Sequence, residues 1–131
     1  MIDGIGVDII EIERVAKAVA RPRFRERVFT EAEREYCDAA TNAERYAGRF
    51  AAKEAIAKAL GIGLNWRDVE ILCGESGAPL PRLHGAAAQR LGNRRLLISI
   101  SHCRTYAVAQ AVVEADSEER GVKRLREEGA A

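Results

Sequence analysis

A chain of 131 residues, 47% hydrophobic and 31% charged, has the make-up of one soluble globular domain, with length for one core but not two. A net charge of +1 excludes a global field that would gather nucleic acid or membrane lipid. Three cysteines without a CxxC pair argue against a disulfide frame or zinc site, and no signal peptide or membrane-length apolar run is apparent, so we expect a cytoplasmic protein with reduced thiols.

Met1 to Ile10 alternates as a strand, with Ile5, Val7 and Ile9 on one face and Gly4, Gly6 and Asp8 on the other. The two glycines clear the face that carries Asp8, so another backbone or a ligand can come close there. Gly4-x-Gly6 lacks the third glycine and the helix-start spacing of a dinucleotide fingerprint. Glu11 to Ala20 predicts a helix with Ile12, Val15, Ala16 and Val19 inside. Arg14, Lys17, Arg21, Arg23, Arg25 and Arg27 then crowd one region, with Phe24 and Phe29 among them. This is either a solvated helix face or a docking surface for an acidic partner, steered by the cations and anchored by Phe24.

Thr30 and Glu33 are spaced as a capping box opening a helix to Ala39. A loop around Thr41 and Asn42 leads to the organising stretch, Arg45 to Gly63, RYAGRFAAKEAIAKALGIG. It reads as one amphipathic helix closed by Gly61 and Gly63, with Tyr46, Phe50, Ala57 and Leu60 facing the core. Glu54 borders that stripe; Lys58 follows at i+4, and Arg49 and Lys53 are expected nearby. Beyond it, Val69 and Ile71 suggest a strand, Gly77 to Pro81 a turn segment, and Ala86 to Leu91 a short helix ended by Gly92. Leu96–Ser101 and Tyr106–Val113 form a hairpin joined through His102, Cys103, Arg104 and Thr105. The domain is taken as residues 1–116, and 117–131 as a charged tail, either a solvated helix or frayed.

Asp8, Glu54 with Lys58, and Ser101-His102 stand out chemically. Magnesium takes one or two protein carboxylates plus substrate phosphates, a role open to Asp8 and Glu54, with Lys58, Arg49 and His102 as cations for phosphate. An ordinary i,i+4 Glu–Lys pair is the plain alternative for Glu54 and Lys58. Ser101 and His102 do not form a hydrolytic dyad, because neighbours on a strand point to opposite faces. His84 reads as a surface residue.

GVDIIEIERV, RFAAKEAIAKALGIG and SISH, in this order and at these separations, resemble the holo-acyl-carrier-protein synthases, the small bacterial 4′-phosphopantetheinyl transferases. The likeness runs from Met1 to about Val113. It implies an α+β fold with an antiparallel sheet packed on a long central helix, and transfer of phosphopantetheine from coenzyme A to a serine of apo acyl carrier protein. Magnesium as cofactor and release of adenosine 3′,5′-bisphosphate are implied too. By position, Asp8 and Glu54 match the metal ligands, Lys58 the lysine at the pyrophosphate, and Arg49 and His102 residues around coenzyme A. Arg14, Arg21, Phe24 and Arg27 lie where the family docks the acidic helix of the carrier protein, although the segment Arg21 to Arg23 is shortened. A single-copy chain is similar in this respect to members that form homotrimers with sites between subunits. The general base is left open between Glu54 and a water. Two competing readings are a non-catalytic module binding an acidic protein or RNA through Arg14–Arg27, and a magnesium-dependent hydrolase of a nucleotide pyrophosphate.

Overall fold

The computed structural model describes residues 1–116, so the charged tail expected over 117–131 lies outside the described residues. Helix α4 (Glu44–Leu60) is the axis of the fold and ends where Gly61 turns left-handed, at φ 67°. Its many alanines keep it slender, and strands close in on it. Strand β1 (Ile2–Glu11) lies so near that a Cβ on Gly4 would stand 2.0 Å from the Ala59 carbonyl oxygen, and one on Gly6 1.9 Å from that of Ala55. The close approach expected at these glycines is therefore that of a helix backbone.

β1 pairs antiparallel with β5 (Tyr106–Glu114), which pairs on its other side with β4 (Arg95–His102). The inner face of β5, with Ala107, Ala109, Ala111 and Val113, is buried in the two hydrophobic clusters built around α4. The outer face of the sheet carries Ile5, Val7 and Ile9, which are 63%, 56% and 62% exposed.

Three short helices, α1 (Ile12–Val19), α2 (Pro22–Val28) and α3 (Glu31–Asp38), connect β1 to α4. Ile12 and Val15 are the buried residues of α1, and α3 opens with the expected Thr30–Glu33 capping box. A single 3-10 turn at Trp66–Asp68 precedes β2 (Val69–Cys73), and α5 (Gly85–Leu91) precedes β4.

Two expectations need correcting. The segment read as a turn from Gly77 to Pro81 becomes strand β3 (Pro79–Leu83), paired antiparallel with β2. Proline is tolerated because Pro79 and Pro81 alternate with the ladder-bonding positions: Gly74 N donates to Ala78 O, and Ile71, opposite Pro81, gives its N–H to Glu33 instead. Nor does α4 bury only one stripe. Sheet, α3 and β2 envelop it, so Ala47, Arg49, Ala51, Ala52, Lys53 and Ala55 are buried as well.

Candidate functional site

On a helix buried almost all round, one line stays open. Phe50 and Glu54 are half-buried and Lys58 is exposed, each one turn beyond the last. Asp8 sits on the inner face of β1, two residues past Gly6, where the strand admits a side chain again. Lys58 Nζ donates to the Val7 carbonyl at 3.0 Å and stands 3.4 Å from Asp8 Oδ1. The Glu54 carboxyl is pushed above its usual range, first by burial and then by the Asp8 carboxylate, against the pull of Lys58.

Two mutually repelling carboxylates beside one lysine are a donor set that a divalent cation would relieve. Among the described residues no group of three or more His, Cys, Asp or Glu side chains is gathered as for a metal ion. An all-protein cage is thus lacking, whereas magnesium, which keeps waters and substrate oxygens, fits Asp8 and Glu54.

A groove of about 580 Å³ runs from these carboxylates along Ile10, Arg14, Arg21, Phe24 and Phe50. Arg21 and Phe24 also border a hollow of about 660 Å³ shared with Arg27. Docking candidates and metal candidates thus belong to one continuous surface. Arg25 stands apart: its guanidinium bonds the Tyr46 hydroxyl and pairs with Asp38, so it ties α2 to α3 and α4.

Arg49 and His102 lie in another cavity, of about 510 Å³, at the start of α4. Arg49 is buried and, among the described residues, its Nε has no hydrogen-bond partner, an orphan donor suited to an anion. The guanidinium carbons of Arg45 and Arg49 lie 4.1 and 4.3 Å from the Tyr36 ring centroid. His102 Nδ1 stands 3.7 Å from Glu44 Oε2. Within one chain, then, the pair Arg49 and His102 and the pair Asp8 and Glu54 occupy separate cavities along α4.

Lys53 does not join the cations around Glu54. Consecutive helix residues point about 100° apart, and Lys53 turns into the core, where its Nζ meets Glu33 Oε1 at 2.8 Å. Burial pushes the ammonium below its ordinary value, against the pull of the Glu33 carboxylate. Sequence reasoning also missed Tyr36, Arg45 and Trp66. Tyr36 and Arg45 are nine positions apart with the Thr41–Asn42 loop between them, and their contact is tertiary. Trp66 stands in the turn before β2, and its ring stacks on Phe50 with centroids 5.1 Å apart.

The profile of the 4′-phosphopantetheinyl transferase superfamily matches residues 4–111. The chain is 45% identical over 124 residues to a holo-[acyl-carrier-protein] synthase of Koribacter versatilis, covering 87% of this chain and 99% of that one. It is 47% identical over 124 residues to that of Moorella thermoacetica, covering 88% and 97%. The fold matches a Bacillus anthracis holo-(acyl-carrier-protein) synthase in complex with CoA (3′,5′-ADP), with TM-score 0.76 and 37% identity over 88% of this chain and 99% of that one. A Helicobacter pylori holo-[acyl-carrier-protein] synthase in complex with coenzyme A matches with TM-score 0.75 and 35% identity, over 84% and 99%. Slender helix, close-packed glycine strand and matching profile agree: this chain belongs to the 4′-phosphopantetheinyl transferase superfamily.

Proposed function

We propose that this chain transfers the 4′-phosphopantetheine group of coenzyme A to a serine hydroxyl of an apo acyl carrier protein, with magnesium, releasing adenosine 3′,5′-bisphosphate. The observation that carries the reading is the convergence of Asp8 and Glu54 on one groove, with Lys58 against Asp8. Kinship with holo-[acyl-carrier-protein] synthases at 45% identity supports the choice of substrates.

Asp8 and Glu54 would hold magnesium between strand and helix, where the bound ion would offset negative charge at the pyrophosphate. Lys58 adds a fixed cation to the same phosphates. The orphan Arg49 Nε and the exposed His102 supply donors for further phosphate oxygens. The carrier serine oxygen bonds to the β-phosphorus of coenzyme A as the bond to the departing bisphosphate breaks in line. The serine proton would pass to Glu54, where the metal leaves it an oxygen to accept with, or to a water.

Arg14, Arg21 and Arg27 are exposed around half-buried Phe24, on the groove and the hollow that adjoins it. An acidic helix laid there would present its serine toward Glu54. Exposed Ile5, Val7 and Ile9, continued across the sheet from Ile5 by Val112 and Leu97, form an apolar face that a homotrimer built on this sheet would cover. In such a trimer the cavity of Arg49 and His102 would be completed by a neighbour's surface. The absence of a helix long and apolar enough to cross a membrane, among the described residues, is compatible with work in the cytoplasm.

Chromatography of the nucleotide products tests the reading against hydrolysis. Release of adenosine 3′,5′-bisphosphate only when apo carrier protein is present supports transfer. Release at the same rate without it identifies a hydrolase.

A further inference from the structure

Among the described residues, a fully buried ion pair lies behind the groove, about a quarter turn round α4 from Glu54. Lys53 and Glu33 are both fully buried. The Lys53 ammonium has three protons and meets three acceptors: Glu33 Oε1 at 2.8 Å, the Trp66 carbonyl at 3.0 Å and the Val69 carbonyl at 2.5 Å. Glu33 is equally committed, accepting from Thr30 N at Oε1 and from Ile71 N at Oε2, each at 2.9 Å. One ion pair thus fastens α3, α4, the Trp66 turn and β2 together, with every charge satisfied.

Burying such a pair is a weak way to gain stability, since well-packed apolar residues often serve as well or better. It is a strong way to specify geometry. Lys53 precedes Glu54 on α4, so whatever fixes the rotation and height of Lys53 fixes the carboxylate beside it. The Trp66 carbonyl is bound by Lys53 while its indole stacks on Phe50 at 5.1 Å and 22°. Phe50 lies one turn before Glu54 and lines the same groove.

We propose that the Glu33–Lys53 pair is a positioning device for the transfer site, setting Glu54 toward Asp8 and holding Trp66 as the backing of Phe50, which lines the groove. The inference rests on the transfer reading given above, but its geometric part does not need turnover. Outer partners that orient metal ligands are worth about 10- to 100-fold in metal affinity or activity, and Lys53 and Glu33 stand in that relation to Glu54.

The test compares Lys53→Met with the double variant Glu33→Met/Lys53→Met. The single change strands a buried carboxylate and lowers both melting temperature and kcat. The double change replaces the pair by apolar volume and recovers most of the melting temperature. Its kcat stays down and the magnesium concentration for half-maximal rate rises, each by about tenfold or more. KM for the carrier protein changes less than kcat, since Arg14, Arg21 and Arg27 lie on or beside α1 and α2. Trp66, the sole tryptophan, reports independently through its fluorescence: acrylamide quenching increases in the double variant. That readout survives even if the parent proves to lack transfer activity, an outcome that overturns the transfer reading and leaves the geometric claim to the quenching data. A folded double variant with parental kcat, magnesium response and Trp66 quenching overturns the proposal. So does a double variant that cannot fold, because the pair is then a requirement of folding itself.

Discussion

Lys58 and Asp8 meet across the seam between helix and strand: Nζ stands 3.4 Å from Oδ1 and donates to the neighbouring Val7 carbonyl at 3.0 Å. A lysine that is still more than half exposed is thereby aimed along the strand rather than left to wander in solvent. It holds a positive charge over a carboxylate that, with Glu54, faces like charge across the seam.

Removing either carboxylate should therefore abolish transfer without unfolding the chain. Asp8→Ala and Glu54→Ala are expected to lower kcat/KM by about 100-fold or more, the scale of losing transition-state charge stabilisation. Their melting temperatures should equal or exceed that of the parent, because a repelling pair is relieved. Steady-state kinetics with thermal melts check both halves, and near-normal turnover in either variant would contradict the assignment.

The glycines of β1 should be intolerant of a single methyl group. Gly6→Ala places a Cβ 1.9 Å from a helix carbonyl oxygen that belongs to backbone and cannot rotate away. Strand and helix must then part, at a cost of about 3 kcal/mol or more. Urea unfolding measures it, and the change should also disturb Asp8 two residues on.

Charge reversal on the docking surface should separate the two substrates. Arg14→Glu with Arg27→Glu is expected to raise KM for the carrier protein by about tenfold or more while leaving KM for coenzyme A within about twofold. The carrier-protein effect should shrink as salt is added. Equal effects on both substrates would remove the docking role.

Alkaline conditions should loosen the start of α4. Burial pushes the Cys37 thiol up from 9.0 to about 12, and burial with the Asp38 hydrogen bond pushes the Tyr46 hydroxyl up from 10.0 to about 12. Both groups stay protonated in the folded chain after they would ionise in the unfolded one. Their contribution is complete below pH 9 and is lost as pH rises toward 12. Tyr46→Phe should be less stable at pH 8 yet lose stability less steeply between pH 9 and 12. Denaturation across that range checks the sign. At neutral pH, alkylation should reach exposed Cys103, whose thiol is lowered by backbone N–H groups of Tyr106 and Thr105, and spare Cys37.

Much of this was legible in the sequence because the motifs are local. The period-2 strand with its glycines, the Thr30–Glu33 box and the alanine-rich helix each carry their signal within one element. Matched motifs then linked Asp8 to Glu54, forty-six positions away, which no periodicity could do. What escaped was tertiary. Lys53 looks like one more cation beside Glu54 until the Glu33 carboxylate and two carbonyls claim it. Pro79 and Pro81 look like breakers until their strand proves to need no N–H at those positions. The alternation of β1 separates Ile5, Val7 and Ile9 from the glycine face without saying which one packs, and it is the glycine face that does, because α4 requires a surface without side chains.

The most direct measurement is the intact mass of an apo acyl carrier protein after incubation with this chain, coenzyme A and magnesium. The expected result is a gain of one phosphopantetheine per carrier, abolished by EDTA and by Glu54→Ala. An unchanged mass across several folded apo carrier proteins, under conditions where coenzyme A is bound, would contradict it.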